Sequence, residues 1–342
     1  VFETLAVHPD SGSLAQQRRG SVYGKRCSMR SLVTGAAGFI GSALVDRLLA
    51  EGHQVIGIDN FDTGERSNLD DAFERNAVDP GRFRLISLDV QAPELIGVLA
   101  GSRPDTVFHL AAQSDPAMSV ADPQFDARSN VLGTINLCEA SRLAGVRRIV
   151  YAGCHEPAAA GTPASPNDAA KLAAELYLQA WAQMYDLSPI CLALGDVYGP
   201  RQRPRGSGNL VAALVCAMVT GVPHGVRRDS VPGRDYVYID DVVDAFLLAA
   251  AAPIDAAGRY RIGTGRTITG GHLCPLIAAA LDGAPVPETS TLSHAASTAD
   301  NRLGWQPKVG LSEGIRRSVG WWCNVLEPGS GPDPTAAVEL AG

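Results

Sequence analysis

The fold is decided by Ser31-Leu32-Val33-Thr34-Gly35-Ala36-Ala37-Gly38-Phe39-Ile40-Gly41 and the amphipathic run that follows it, Ser42 to Ala50. A short β-branched run, a glycine-rich turn and a helical pattern read as a strand feeding a helix. The N-terminus of such a helix presents unpaired N–H groups and the positive end of a dipole, which together suit a pyrophosphate. Gly35 is expected to make the tight turn, Gly38 to let the backbone approach the phosphate, and Gly41 to let helix and sheet pack closely. Phe39 and Ile40 complete the phosphate-facing turn. A glycine triplet alone could be a structural turn, but the next strand ends at Asp59, 24 residues after Gly35, where an acidic group accepts from a ribose 2′-hydroxyl. A carboxylate there repels a 2′-phosphate, and Ala36 and Ala37 offer no basic side chain against it. NAD is therefore expected in preference to NADP.

Outward from this turn, strands are expected at 31–34, 54–58, 83–88, 105–109, 147–152 and 189–194, with helices at 39–51, 92–100, 127–144 and 168–186. The alternation implies crossover units: an α/β fold with a doubly wound parallel sheet of Rossmann type. Ligands sit at the carboxyl ends of parallel strands. That rule puts Asp89-Val90 beside the adenine and Leu110-Ala111-Ala112 under the ribose and nicotinamide. Beyond about residue 195 the alternation breaks down and Pro and Gly become frequent, so a second, smaller region is expected to supply the other wall of a cleft. Residues 1–28 read as an appendage before the first periodic structure, with Met29 a candidate start, and the Pro-, Gly- and Ala-rich end as a loose tail.

The 342 residues carry a net charge of -7 with 46% hydrophobic and 19% charged residues, which suits a globular domain and argues against a nucleic-acid partner. No apolar stretch approaches the roughly 20 residues of a membrane span. Seven scattered cysteines without a C-x-x-C pair suggest a reducing cytoplasm rather than a disulfide framework or zinc site. Only three of the 29 basic residues are lysines, at 25, 171 and 308. A lysine is thus an unusual choice in this chain.

Several further motifs accompany the turn: Asp59-Asn60-Phe61, His109-Leu110-Ala111-Ala112-Gln113, Asn130-Val131-Leu132-Gly133-Thr134, Val197-Tyr198-Gly199-Pro200-Arg201 and Arg234-Asp235-Tyr236-Val237-Tyr238-Ile239-Asp240-Asp241-Val242. Together they resemble the extended short-chain dehydrogenase/reductase family, in its nucleotide-sugar epimerase and dehydratase branch, over about residues 29–323. The resemblance implies an NAD-binding domain over 29–195, returning at about 236–265. It further implies a smaller C-terminal α/β substrate-binding region over 196–235 and 266–325, with a tail over 326–342. It also implies a nucleoside-diphosphate sugar substrate, transient oxidation at sugar C4, and a homodimer through helices 127–144 and 168–186. Asn60, Gln113 and Asn130 join the cofactor residues on the same ground.

The family base is the tyrosine of a Tyr-x-x-x-Lys helix, and here the helix reads Asn167-Asp168-Ala169-Ala170-Lys171. Lys171 matches the lysine that binds the nicotinamide ribose and lowers the tyrosine pKa. Asn167 stands in the tyrosine's place, and an amide has no usable pKa near neutrality. Cys154 takes the position of the family Ser or Thr, although a strand-end cysteine also serves as a small buried filler. His155 and Glu156 fall where dehydratases of the family carry Asp-Glu. The reading adopted is that His155 replaces the tyrosine, assisted by Cys154 or Glu156, with Asp168 as an alternative base. On the substrate side, Asn209 and Leu210 match the segment over the nucleotide and Arg234 the diphosphate arginine, with Arg227 and Arg228 near it in sequence. Asp196 replaces the usual Asn and repels a diphosphate unless paired, and a second arginine is missing at Pro285-Val286-Pro287-Glu288. An epimerase or dehydratase is expected; the rivals are another dehydrogenase releasing NADH and a catalytically silent NAD-binding homologue.

Overall fold

The computed structural model describes residues 28–154, 163–204, 209–221, 233–284, 286 and 301–326. The chain runs β1 (Arg30–Thr34), α1 (Phe39–Ala50), β2 (Gln54–Asp59), α2 (Asp70–Val78), β3 (Phe83–Ser87), α3 (Leu95–Ser102), β4 (Thr106–His109), α4 (Pro116–Ala121), α5 (Pro123–Ala127), α6 (Gly133–Ala144), β5 (Arg148–Cys154), α7 (Pro166–Met184) and β6 (Ser188–Leu194). It continues with β7 (Asp196–Tyr198), α8 (Leu210–Thr220), β8 (Tyr236–Tyr238), α9 (Ile239–Ala251), β9 (Gly258–Ile262), α10 (Gly270–Leu281) and α11 (Leu311–Leu326). All the strand pairs are parallel, and the large sheet has the order β3-β2-β1-β4-β5-β6-β9. The strand order reverses between β1 and β4, the switch point at whose carboxyl ends doubly wound sheets take their ligands.

Each sheet face buries its own helical layer. Phe108 and Val150 point toward α1 and α9, where Leu44, Leu48, Val242 and Phe246 are buried. Val107, Ile149 and Tyr151 pack with Leu95, Leu99, Leu137 and Leu178 of α3, α6 and α7. Successive strand residues face opposite ways, so a strand buried on both sides is apolar at nearly every position, as β5 is beyond Arg148, whereas β4 buries Thr106 and His109 as polar groups.

The helix expected over 127–144 begins earlier, at Pro123, and runs to Ala144 through a π-helical turn. Two Asp-Pro steps restart the chain before it: Asp115 accepts from the Ala117 N–H at 2.9 Å and Asp122 from the Phe125 N–H at 2.8 Å, with Pro116 and Pro123 at the first helical positions. A π-helical turn over Arg128–Leu132 then precedes α6 and holds Asn130 in the interior. Helix α7 starts earlier than expected, because Ser165 caps it by accepting from the Asp168 N–H at 3.1 Å.

The C-terminal region is more regular than its Pro and Gly content suggests. Helices α8, α10 and α11 pack on one another beside the two-stranded β7-β8 sheet, while α9 and β9 return to the large sheet. Two carboxylates of the Arg234–Val242 motif brace this arrangement. Asp235 accepts from the N–H groups of Thr264 (2.9 Å) and Gly265 (3.0 Å), and Asp241 from those of Lys308 and Val309 (both 3.0 Å). Among the described residues no helix is long and apolar enough to cross a membrane. Residues 1–27 and 327–342 lie outside the described residues.

Candidate active site

The glycine turn closes around backbone. Gly35 has φ +68°, a left-handed conformation that favours glycine, and a Cβ there would meet the Ala111 N at 2.7 Å. A Cβ on Gly41 would meet the Gly35 carbonyl oxygen at 1.9 Å. Gly38 caps α1 without a side chain, so the first-turn N–H groups of Phe39, Ile40 and Gly41 carry the positive end of the helix dipole at the β1/β4 switch point. Asp59 is buried at the end of β2 and accepts from the Ala37 and Phe61 N–H groups, each at 2.8 Å. Each carboxylate oxygen takes one hydrogen bond and keeps a second acceptor position, which a ribose diol requires. These residues fit a dinucleotide.

The remaining wall is held from behind. Asn60 donates to Asp89 at 2.9 Å, and Asp89 also accepts from the Gln91 N–H at 2.8 Å. Val90 is buried, its carbonyl accepting from Asn136 at 2.7 Å. The Leu110 and Ala111 N–H groups donate to the Thr34 hydroxyl at 3.2 and 3.1 Å, which draws the strap after β4, including Ala112, against the glycine turn. Gln113 folds onto its own loop, its amide bonding the Asp115 backbone on both sides.

Asn167, Lys171 and Glu175 are spaced by four residues on α7 and form one buried face. The Asn167 amide nitrogen donates to the Gln113 carbonyl at 2.8 Å and to Asp126 Oδ1 at 3.0 Å. Asn130 donates to the same two acceptors, at 2.9 and 3.1 Å. Two amides thus share two acceptors in a closed clamp, and Asn167 braces the segment that follows β4. Asn167→Leu keeps the shape but leaves Asp126 and the Gln113 carbonyl with Asn130 alone. We expect it to lower stability by roughly 2–3 kcal/mol in urea unfolding, the scale of hydrogen bonds to a charged group; an unchanged midpoint would dismiss the clamp.

Lys171 Nζ donates to the Ala152 carbonyl at 3.2 Å and lies 5.2 Å from the centroid of the Tyr151 ring. Cys154, two residues after Ala152, ends β5 and pairs in register with Leu194. His155 and Glu156 follow it in sequence and lie outside the described residues. Asp168 accepts from the Ala164 N–H at 3.2 Å, before the helix start. Glu175, to which sequence reasoning assigned no role, lies 3.5 Å from Arg259 and presses on Gly153, where a Cβ would meet its Oε1 at 2.6 Å. Burial pushes its carboxyl up, against the pull of Arg259 and Lys171. Its signal was the spacing of four from Lys171. His109, also without an assigned role, is held between Thr34 and Thr134.

On the substrate side Asp196 is paired: Arg234 donates to it at 2.8 Å. The ion pair removes the repulsion expected of a lone carboxylate and occupies the arginine at the same time. Asn209 caps α8 and accepts from Gln202 at 3.1 Å, whereas the side chain of Leu210 is buried in the core. Arg227, Arg228, Pro285, Pro287 and Glu288 lie outside the described residues.

A glycine turn and a buried carboxylate with free acceptor positions at the β1/β4 switch point, with the buried Lys171 of α7 on the Ala152 carbonyl of β5, fit a dinucleotide-dependent enzyme of the Rossmann class. Residues 31–263 match the NAD dependent epimerase/dehydratase family, and the chain belongs to it. The family's cofactor, NAD, is the one this cradle suits. Over 318 residues the chain is 41% identical to the UDP-glucose 4-epimerase of Mycolicibacterium smegmatis, covering 86% of this chain and 99% of that one. Its fold is similar to that of the Thermus thermophilus UDP-glucose 4-epimerase in complex with NAD, at TM-score 0.73 and 35% identity over 86% of this chain and 99% of that one. The Thermotoga maritima UDP-glucose 4-epimerase with UDP-glucose is similar at TM-score 0.75 and 32% identity, over 87% of this chain and 100% of that one.

Proposed function

We propose that the chain is an epimerase of nucleoside-diphosphate sugars that works through a 4-keto intermediate, with its acid/base group at the end of β5 and not at position 167. The observation that carries this reading is Lys171, buried on the Ala152 carbonyl beside the strand end that leads into Cys154, His155 and Glu156. Bound in the cradle, NAD supplies a hydride acceptor and donor for the sugar carbon. An alcohol cannot release hydride unless its proton also leaves, so a base must face the hydroxyl. Asn167 has no basic lone pair for this role, and its N–H groups are engaged in the clamp. His155 takes the hydroxyl proton and returns it to the inverted alcohol, with Cys154 or Glu156 assisting. The cation of Lys171 favours any negative charge that develops nearby.

UDP-hexoses are the first substrates to test, by likeness to the relatives. Arg234 contacts the diphosphate, which must share it with Asp196, beside Asn209 at the nucleotide segment. The test is a proton NMR time course in D₂O with NAD and UDP- or dTDP-hexoses. A C4-inverted sugar without deuterium at C4 is the expected result. Loss of water with deuterium beside a keto carbon would instead make the chain a dehydratase. Binding with no turnover would favour the catalytically silent reading, to which the Asn167 clamp gives its one specific support.

The same reading includes a homodimer through α6 and α7. Leu143, Leu176, Tyr177, Met184 and Tyr185 are all exposed along these helices and their ends, an apolar surface of the kind that self-association covers. Light scattering at twice the chain mass is expected, with the monomer mass overturning it.

A further inference from the structure

We infer that His109 is a positioning residue for the dinucleotide: a neutral imidazole held in a single tautomer, which ties the floor of the cradle to the wall that carries residue 167. The inference rests on NAD being the cofactor and is independent of which sugar is turned over. His109 ends β4, pairs in register with Thr34 on one side and Tyr151 on the other, and is 1% exposed.

The direction of each hydrogen bond follows from donor counting. Thr134 has one hydroxyl proton, and its oxygen lies 2.7 Å from the Asn130 carbonyl, which can only accept. Toward His109 Nε2, at 3.0 Å, Thr134 must therefore accept, so Nε2 carries the proton. A neutral imidazole has one N–H, which leaves Nδ1 bare to accept from the Thr34 hydroxyl at 2.8 Å. Thr34, having given up its proton, keeps its lone pairs for the N–H groups of Leu110 and Ala111. The hydrogen bonds then run one way, from the strap through Thr34, His109 and Thr134 to the Asn130 backbone. Asn130 closes the chain with Asn167 on Gln113 and Asp126.

An imidazolium would donate at both nitrogens and reverse the Thr34 end, turning its hydroxyl proton toward two N–H groups. Burial and the nearby Lys171 cation both resist that proton, and they push the imidazole down to about 3. The other group facing it is the Tyr151 ring, at 5.5 Å. What the chain of bonds fixes is the strap: the Ala111 nitrogen sits where a Cβ on Gly35 would touch it at 2.7 Å, so the glycine turn and the strap keep their spacing only while Thr34 is oriented.

The test has a spectroscopic arm and an affinity arm. In the full chain labelled with ¹⁵N-histidine and loaded with NAD, His109 is expected to show a protonated Nε2 and an unprotonated Nδ1, unchanged from pH 5 to pH 8. Thr134→Val removes the acceptor for Nε2–H and is expected to weaken NAD binding by about 3- to 10-fold, the scale of one hydrogen bond, while perturbing the tautomer signature. Thr134→Ser, which keeps the hydroxyl, is expected to restore both. The opposite tautomer, or titration in the ordinary histidine range, would overturn the inference in the unmodified protein even if the valine variant fails to fold. Serine and valine variants of equal NAD affinity would overturn it as well.

Discussion

Gly41→Ala is expected to weaken NAD binding by at least about 100-fold. The added Cβ would lie 1.9 Å from the Gly35 carbonyl oxygen, 2.8 Å from its carbon and 3.1 Å from the Ala36 Cα, so every close neighbour is backbone and none can swing aside. Either α1 retreats from β1 or the glycine turn is pushed outward, and both moves displace the helix N-terminal N–H groups that a pyrophosphate would meet. The loss corresponds to roughly 2.7 kcal/mol of binding, with a further cost in stability of the kind that overpacking brings. Calorimetric titration with NAD measures the first and thermal unfolding the second. Gly97→Ala on α3 is the matched control, because a Cβ there meets nothing within 4 Å. It should leave NAD affinity where it was; a similar loss in both variants would mean that the close approach at Gly41 is not what makes the cradle.

His155→Ala is expected to lower turnover of the sugar substrate by about 10²- to 10⁴-fold, the usual worth of a general acid or base, with NAD affinity unchanged. That range is roughly 3 to 5.5 kcal/mol of transition-state stabilisation. The unchanged affinity matters as much as the lost rate, because the cradle residues Gly35, Gly41 and Asp59 are held by backbone contacts that do not involve residue 155. The companion variant is Asn167→Leu, for which the clamp predicts reduced stability and no loss of a base. If His155→Ala turns over normally while Glu156→Gln or Cys154→Ala does not, the base belongs to that neighbour. If all three retain turnover, the acid/base group does not lie at the end of β5.

The parts legible beforehand were those set by local chemistry. Strands β1 to β6 and the glycine turn announce themselves through β-branched runs and glycine spacing, because a strand buried on both faces and a turn with positive φ each tolerate few residue types. The π turn inside the helix from Pro123 to Ala144 was missed because periodicity runs through it, and the earlier start of that helix was marked only by Asp122-Pro123. The second region was underestimated because frequent Pro and Gly in its connections hid the apolar helix α8 and its partners. Thr34, His109 and Thr134 all stood in motifs quoted from the sequence. Their partnership is invisible there, since 75 residues separate the first pair and 25 the second.

The sequence by itself determined the α/β alternation, the glycine turn, the carboxylate at Asp59 and the amide at position 167, since each is a matter of residue type at a local spacing. Only the tertiary structure decided what Asn167 does instead, that Arg234 is occupied by Asp196, and that one buried histidine joins the cradle to the clamp. These are relations between donors and acceptors on different elements. Which lone pair meets which proton is settled only when the strands take their register and the helices dock on the sheet.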